Sequence, residues 1–211
     1  MKTIGVTARG LEPGLLMSSP ESMLQMDDGK KKTPKELSRS ELAERSAYRL
    51  SNGNLCFPAV AFQRALMAAM KGAKVQPISA EGRKQGKEVS LTGLLSAMWG
   101  VEPKDLIPLM IGKKPIKDYR IDVRTGLNRN KKPAARIVLV RPLIFPWETS
   151  FDIVYDDEAA PGDTADQLRK YLERAGRVIG VGAFRPYVES TNPPQTGGWF
   201  GKFEVMEWEE A

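Results

Sequence analysis

Thr149-Ser150-Phe151-Asp152-Ile153-Val154-Tyr155 carries the alternation on which the predicted fold depends. Phe151, Ile153 and Tyr155 fall on one side of the strand, with Ser150 and Asp152 on the opposite side, which is typical of a strand with one buried face. Two more strands are predicted upstream, at 119–125 and 134–145, joined by a basic turn at 128–133. Downstream, apolar residues at helical spacing predict an amphipathic helix that ends near Gly180, with the stripe Leu168, Tyr171, Leu172, Ala175 and Ile179.

A last strand at about 200–208 completes a β-β-α-β order, which is half of a ferredoxin-like sheet. The other half could come from an opening strand, Lys2–Gly10, and a helix beginning at Pro58. That helix has its own apolar stripe, made of Phe62, Ala65, Leu66, Ala69 and Met70. We therefore expect an α+β fold with an antiparallel, ferredoxin-like or RRM-like sheet and helices on one face. A single domain over 1–211 would carry a loop–helix insertion at about 18–54.

Three predictions in the first half of the chain rest on weaker patterns. Thr33 followed by Pro34 predicts the start of a helix that runs to about Leu50, with Thr33 as its cap. A short helix is predicted over 91–98. The apolar run 105–111 is compatible with either a strand or a helix, because so short a run has no decisive period.

The composition excludes several kinds of catalytic site. The 211 residues include no histidine and one cysteine, so histidine-based catalysis, histidine-ligated zinc and an intrachain disulfide are all excluded. Cys56 lies between Leu55 and Phe57, where a buried, unreactive thiol is expected. The first residues alternate like a strand, so no secretory leader is expected, and a lone thiol is compatible with the cytoplasm.

The positive charge is concentrated in the segment 112–141. The whole chain has a net charge of +6. The segment has two acids, Asp118 and Asp122, and ten bases: Lys113, Lys114, Lys117, Arg120, Arg124, Arg129, Lys131, Lys132, Arg136 and Arg141. Such a segment, predicted on strands and a turn, favours a polyanion and above all nucleic acid. A solvated sheet face and an acidic protein partner stay open as alternatives; a membrane surface is disfavoured, because the charge is not on an amphipathic helix.

The glycine-rich tail at 180–202 is a second candidate for binding. Glycines at 197, 198 and 201 allow sharp bends or close approach, and backbone N–H groups of such a loop can hold a phosphodiester. Arg185, Tyr187, Trp199 and Lys202 would add charge and stacking surface. A plain connector, in which the glycines only turn the chain, remains the alternative.

Two further groups of residues have both a functional and an ordinary interpretation. Trp147, Tyr187 and Trp199 fall in predicted turns, where they could stack on bases or anchor a buried corner. The acids Asp27-Asp28 and 156–158 could bind Mg²⁺, although adjacent carboxylates in turns are common as surface charge.

Three segments resemble the repeat-associated mysterious protein (RAMP) superfamily. Gly53–Leu66 is similar to its pattern of a short strand and a proline turn entering a helix with a basic residue, and Gly197–Phe203 is similar to its C-terminal glycine-rich loop. Arg9-Gly10-Leu11 fits the opening strand. The superfamily includes backbone subunits of CRISPR effector complexes, which have an RRM-like core and polymerise along guide RNA. The tail Ile179–Pro186 is also similar to bacteriophage proteins, which suggests a phage or mobile-element relative.

The resemblance implies particular roles for residues of this chain. Arg64 would lie near phosphates, Gly197, Gly198 and Gly201 in a loop that grips the backbone, and 18–35 where such subunits insert variable fingers. Some relatives cleave RNA with a loop aspartate, but no position here carries that residue over. We therefore expect no catalytic residue, no metal and no cofactor.

The expected function is non-enzymatic binding of single-stranded nucleic acid, RNA rather than DNA, by a homo-oligomer, with other ribonucleoprotein subunits as further partners. Two alternatives remain: an assembly or inhibitory protein that docks its basic face on an acidic protein, and a metal-dependent nuclease that uses Asp27 or Asp28. The residues expected to bind nucleic acid are Lys30, Lys31, Lys32, Arg64, Lys113, Lys114, Arg120, Arg124, Arg129, Lys131, Lys132, Arg185, Tyr187, Gly197, Gly198, Trp199, Gly201 and Lys202.

Overall fold

The computed structural model describes most of the chain in separate stretches. The described residues are 1–18, 37–71, 74–75, 89–99, 105–128, 135–156, 163–188, 195–196 and 198–210. The strands are β1 (Lys2–Gly10), β2 (Leu15–Leu16), β3 (Cys56–Pro58), β4 (Lys74–Val75), β5 (Val89–Ser90), β6 (Leu95–Trp99), β7 (Leu106–Pro108), β8 (Met110–Ile111), β9 (Lys114–Pro115), β10 (Arg120–Asn128), β11 (Ala135–Ile144), β12 (Glu148–Tyr155), β13 (Tyr187–Val188), β14 (Gln195–Thr196) and β15 (Phe203–Glu210). The helices are α1 (Arg39–Arg45), α2 (Ala59–Ala69), the single turn α3 (Leu91–Leu94) and α4 (Thr164–Arg174).

The largest sheet has β1 at its centre. β1 pairs with β12 from Lys2↔Tyr155 to Arg9↔Glu148, and with β15 from Ile4↔Glu210 to Gly10↔Phe203. The far edge of β12 pairs with β6 along part of its length and with β8 at Glu148, and β9 follows β8. Every pair is antiparallel. The predicted α+β class with antiparallel sheets is thus confirmed.

The core lies on one face of this sheet, under α2 and α4. Alternation buries Ile4 and Val6 from β1 and Phe151 from β12, as period 2 requires. The ring of Phe62 on α2 lies at their centre, with its centroid 4.8 Å from that of Phe151 and 5.3 Å from that of Phe203. The predicted α2 stripe is confirmed, because all five of its members are buried. Apolar burial and these aromatic contacts hold α2 on the sheet.

Helix α4 confirms the second predicted stripe. Leu168, Leu172, Ala175 and Ile179 are buried, and Tyr171 packs half-buried against the core. The last turn, Ala175–Ile179, widens into a π-helix. Gly180 ends it at φ +70°, a left-handed conformation that glycine adopts without steric cost.

A second, three-stranded sheet is built on the hairpin of β10 and β11, with β2 on the outer edge of β11. Directly opposed residues share a face, so the register Asp122↔Arg141 and Arg124↔Leu139 fixes one side of the hairpin. The other side has the pairs Val123↔Val140 and Thr125↔Val138. One side is therefore charged and the other mainly apolar.

The structure corrects two predicted helices in the first half of the chain. The helix expected to run to about Leu50 ends at Arg45, and its described cap is Ser38 rather than Thr33. Ser38 and Glu41 form a reciprocal capping box, whereas Thr33 and Pro34 lie outside the described residues. The helix expected over 91–98 is only the turn α3, because Leu95–Trp99 pairs with β12 as a strand. The ambiguous run 105–111 forms β7 and β8.

Among the described residues, no helix is long and apolar enough to cross a membrane.

Candidate nucleic-acid interface

The glycines of the tail allow three segments of backbone to cross at close range. The Gly201 amide donates to the Gly14 carbonyl oxygen (2.8 Å), and the Gly201 carbonyl accepts from the Val181 amide (2.9 Å). Gly201 has φ +71°, and a Cβ atom there would lie 1.6 Å from the Val181 oxygen. The Gly201 amide is therefore already used inside the protein and is not free to hold a phosphate.

A second contact joins the same two parts of the tail. The Phe200 amide donates to the Phe184 carbonyl (3.2 Å), and a Cβ on Gly198 would lie 1.9 Å from that oxygen. Phe184 has φ +51°, which is uncommon for a residue with a side chain. These contacts hold residues 184–185 beside 198–200. Gly197 lies outside the described residues.

Arginines from the β10–β11 hairpin pack over the two phenylalanines of this contact. The guanidinium carbon of Arg124 lies 4.4 Å from the Phe200 ring centroid, and that of Arg141 lies 5.1 Å from the Phe184 centroid. Both distances are in the cation–π range. The charged side of the hairpin therefore faces the glycine-rich tail.

The charges of these two arginines are not equally available. Asp122 accepts from Arg124 at both carboxylate oxygens, Nε at 2.7 Å and Nη2 at 3.1 Å, so that charge is largely neutralised. Burial lowers the pKa of Arg141, and the charge of Asp122 opposes this. Arginine stays protonated in either case, so Arg141 contributes a partly desolvated cation.

Arg64 and Arg185 are two cations of the site that repel each other. Arg64 is exposed on α2, and Arg185 is half-buried directly after Phe184. Burial lowers the pKa of the Arg185 guanidinium, and the positive charge of Arg64 lowers it further. Among the described residues, no carboxylate forms an ion pair with either arginine. Two like charges held together in this way favour an anion between them.

Trp199 is the most exposed aromatic side chain of the site, ahead of Phe184 at 38%. Trp199 is 68% exposed and lies between Gly198 and Phe200. We define the arginine–aromatic site as these arginines and rings: Arg64, Arg124, Arg141, Arg185, Phe184, Trp199 and Phe200. The sequence pointed to Arg64, Arg124, Arg185 and Trp199 as binding residues, but not to the two phenylalanines. Their only sequence signal is their position beside Gly182 and Gly201 in the tail.

The other two candidate aromatics have different positions. Trp147 is fully buried, with its ring 6.3 Å from that of Phe62, so the stacking interpretation is wrong for Trp147 and the buried-corner interpretation is right. Tyr187 lies on β13, which pairs with β14.

The basic segment 112–141, predicted on strands and a turn, divides between two sheets, so its described bases do not all lie on one surface. Lys113 and Lys114 are exposed in the β8–β9 hairpin at the edge of the large sheet. Arg120 is exposed on β10, on the same side of the hairpin as Arg124.

Lys202 is half-buried, and its carbonyl accepts from the Leu11 amide. Other candidate residues lie outside the described part of the chain, either whole (Lys30, Lys31, Lys32, Arg129, Lys131 and Lys132) or in their side chains (Arg136 and Tyr187).

The face of the large sheet that turns away from the helices is acidic. Arg9 pairs there with Glu148 (2.9 Å) and approaches Glu204 (4.0 Å). The register places on this face the carboxylates Glu148, Asp152, Glu204, Glu207 and Glu209. A polyanion is repelled from this face, so the arginine–aromatic site and not the sheet face is the candidate interface.

The acids and the cysteine give no alternative site within the described residues. No group of three or more Cys, Asp or Glu side chains in that part of the chain is arranged to hold a metal ion. Asp27, Asp28, Asp157 and Glu158 lie outside it. Cys56 is fully buried, as predicted, and burial raises the pKa of its thiol to about 11, which disfavours the thiolate.

No protein-family model matches the chain, and no curated protein is significantly similar to it.

Proposed function

We propose that this protein binds single-stranded nucleic acid, RNA rather than DNA, without catalysing a reaction, and acts as a homo-oligomer. The observation that carries this proposal is the repulsion between Arg64 and Arg185, neither of which is paired with a described carboxylate. The exposed ring of Trp199 lies in the same glycine-rich tail as Arg185. A single strand offers both phosphates and unpaired bases at short spacing, which is the chemistry such a site would take.

In this proposal the arginines and the tryptophan have different tasks. Arg64 and Arg185 bind phosphate oxygens, and bound phosphate offsets the repulsion between the two guanidinium groups. Trp199 stacks on a base, which any base can satisfy through its π face. Arg124 and Arg141 hold Phe184 and Phe200 in place and add positive potential. Binding would then be salt-sensitive and weakly dependent on sequence.

The strand order supports a ferredoxin-like or RRM-like assignment. The order β15–β1–β12–β6, with α2 in the chain between β1 and β6 and α4 between β12 and β15, is the order of that fold. The RAMP resemblance implies the same core, and we keep it as part of the proposal. In this proposal the nucleic acid binds at the glycine-rich tail and not on the sheet, as it does in an RRM, because the exposed sheet face is acidic.

An acidic protein surface is the second candidate partner, because it would bind the same arginines. The exposed Trp199 favours nucleic acid, since a carboxylate surface has no flat ring to stack on it. The two candidates differ in one readout. Only the first predicts that the purified protein retains nucleic acid, seen as raised absorbance at 260 nm relative to 280 nm and lost after nuclease and high-salt washing.

The test measures fluorescence anisotropy of labelled single-stranded RNA, single-stranded DNA and duplex DNA over a series of KCl concentrations. We expect RNA to bind most tightly and duplex DNA least tightly. The slope of log K, where K is the association constant, against log [KCl] should be about −0.7 for each phosphate contacted on a single strand. Absence of binding at the lowest salt would overturn the function, and binding with a flat salt profile would overturn the mechanism.

A further inference from the structure

The outer edge of β10 is a long unpaired sheet edge. β10 spans nine residues, and its inner edge pairs with β11 from Arg120↔Leu143 to Asn128↔Ala135. Among the described strands, none pairs with its outer edge. Every second residue of such an edge directs its N–H and C=O groups outward, and these groups are a template for another strand.

Apolar side chains next to this edge are left in solvent. On the side of the hairpin away from the arginines, Ile121 is 43% exposed, Val123 is 42% exposed and Val138 is 66% exposed. β-Branched residues on an unpaired strand add apolar area that a second strand would cover.

The sequence of β10 is complementary to itself in an antiparallel register centred on Val123. If Val123 pairs with Val123 of a second copy, Asp122 lies opposite Arg124 of that copy, and Arg124 lies opposite its Asp122. Since Asp122 and Arg124 are also paired within each chain, four charges of alternating sign would meet around the axis. Ile121 then lies opposite Thr125. Centring the pair on Asp122 instead would place Asp122 against Asp122 and Arg120 against Arg124, which is repulsive. Centring the pair on Ile121 would also place Arg120 opposite Asp122, but only residues 120–122 of β10 would then pair, whereas the register centred on Val123 pairs residues 120–126. Charge and the length of paired strand together favour the register centred on Val123.

We propose that two copies of this chain pair through the outer edges of β10, in the antiparallel register centred on Val123. The contact is twofold, so each copy supplies the same surface. It joins the two three-stranded sheets into one sheet of six strands. Since the twofold axis is perpendicular to that sheet, the arginine–aromatic sites of both copies lie on the same side. This contact rests on the proposed function in one point: it specifies how the proposed homo-oligomer forms. It does not require that the protein bind nucleic acid.

The first test uses charge exchange, with mass measured by analytical ultracentrifugation of nuclease-treated protein. Wild type should be a dimer. Asp122→Arg places two arginines opposite each other, and Arg124→Asp places two acids together, so each variant alone should dissociate at least about tenfold more readily. The mixture of these two variants, and the double variant Asp122→Arg/Arg124→Asp, both restore opposite charges and should dimerise again. Circular dichroism checks that each single variant is folded, and the recovery on mixing could not come from a misfolded chain.

The second test uses cysteine cross-linking, for which the buried Cys56 gives little background. Val123→Cys should form a disulfide-linked dimer on mild oxidation, because the two thiols face each other across the axis. Ile121→Cys is the matched control, since it lies on the same strand and face with almost the same exposure. In the proposed register the two thiols introduced at position 121 are about 13 Å apart, beyond the reach of a disulfide.

Three results would overturn the proposal: a monomer at all concentrations, mixing that does not restore the dimer, or equal cross-linking at positions 121 and 123. A monomer that still binds labelled RNA would reject this contact and leave the proposed function intact. A dimer that shows the predicted charge dependence but binds no nucleic acid would support this contact and reject the proposed function.

Discussion

Arg64 on α2 is close enough to Arg185 in the glycine-rich tail for its positive charge to add to burial in lowering the pKa of Arg185. Like charges brought together by a fold raise its free energy unless something compensates them. Among the described residues no carboxylate pairs with either arginine, although Arg124 in the same site has Asp122. The compensation is expected from an anionic ligand, and the predictions on binding follow from this.

Trp199→Ala should weaken binding of single-stranded RNA by about 1–3 kcal/mol, which is about 5- to 150-fold, because stacking on a base is lost. Anisotropy titration measures the change. Trp199→Phe keeps a stacking ring and should retain most of the affinity. The salt slope should stay the same in both variants, since the ring contacts no phosphate. Unchanged affinity of Trp199→Ala would show that the exposed ring takes no part.

Gly201→Ala should destabilise the fold far more than Gly53→Ala. Both glycines have positive φ, so both substitutions cost about 1–2 kcal/mol of backbone strain. At Gly53 the new Cβ meets nothing within 4 Å, whereas at Gly201 it would lie 1.6 Å from the Val181 oxygen. Urea unfolding measures the free energy of each variant. Equal losses in the two variants would contradict the tight crossing of the tail.

Phe62→Ala should lower the free energy of unfolding by about 3–5 kcal/mol, because it leaves a cavity between α2 and the large sheet. The ring of Phe62 contacts four other aromatic rings: Phe57, Trp147, Phe151 and Phe203. Met67→Ala on the same helix is the control, since Met67 is 42% exposed and should cost less than about 0.5 kcal/mol. Similar urea midpoints for the two variants would place the core elsewhere.

The hydroxyl of Tyr119 should lose its proton at a higher pH than that of an ordinary tyrosine. Burial raises its pKa from 10.0 to about 12, and its hydroxyl donates to Glu44 Oε2 at 2.8 Å. Between these two values the folded state keeps the proton that the unfolded state releases, so stability falls as the pH rises through this window. Absorbance at 295 nm should show a step near 12 that is absent in Tyr119→Phe. A titration of the folded protein with every step near 10 would contradict the burial of this hydroxyl.

Much of the core could be predicted from periodicity, because its residues follow one regular repeat on one element. Alternation located β1 and β12, and helical spacing located the buried stripe of α2. The start of α1 is also marked in the sequence, since Ser38 and Glu41 have the spacing of a capping box, a stronger signal than Thr33-Pro34.

The remaining differences arise from contacts between segments that are distant in sequence. Leu95–Trp99 is a strand because β12 offers it an edge, which its own helix-compatible pattern does not reveal. Trp147 is buried because Gly10 has no side chain: a Cβ there would lie 2.0 Å from the indole nitrogen. The packing of Arg124 and Arg141 on Phe184 and Phe200 likewise depends on how the hairpin meets the tail. No local period records such contacts.

The salt dependence of RNA binding by Arg64→Gln/Arg185→Gln tests the central claim most directly. The control is Arg169→Gln/Arg177→Gln, which removes the same charge from exposed positions on α4 and the π-turn that follows it. We predict that the first variant loses at least about tenfold in affinity, and that its slope of log K against log [KCl] becomes shallower by about 1.4, which is about 0.7 for each lost phosphate contact. The control should stay within about twofold of wild type with the same slope. Equal weakening of the two variants, or an unchanged slope in the first, would contradict the account, because net charge and not the paired arginines would then govern binding.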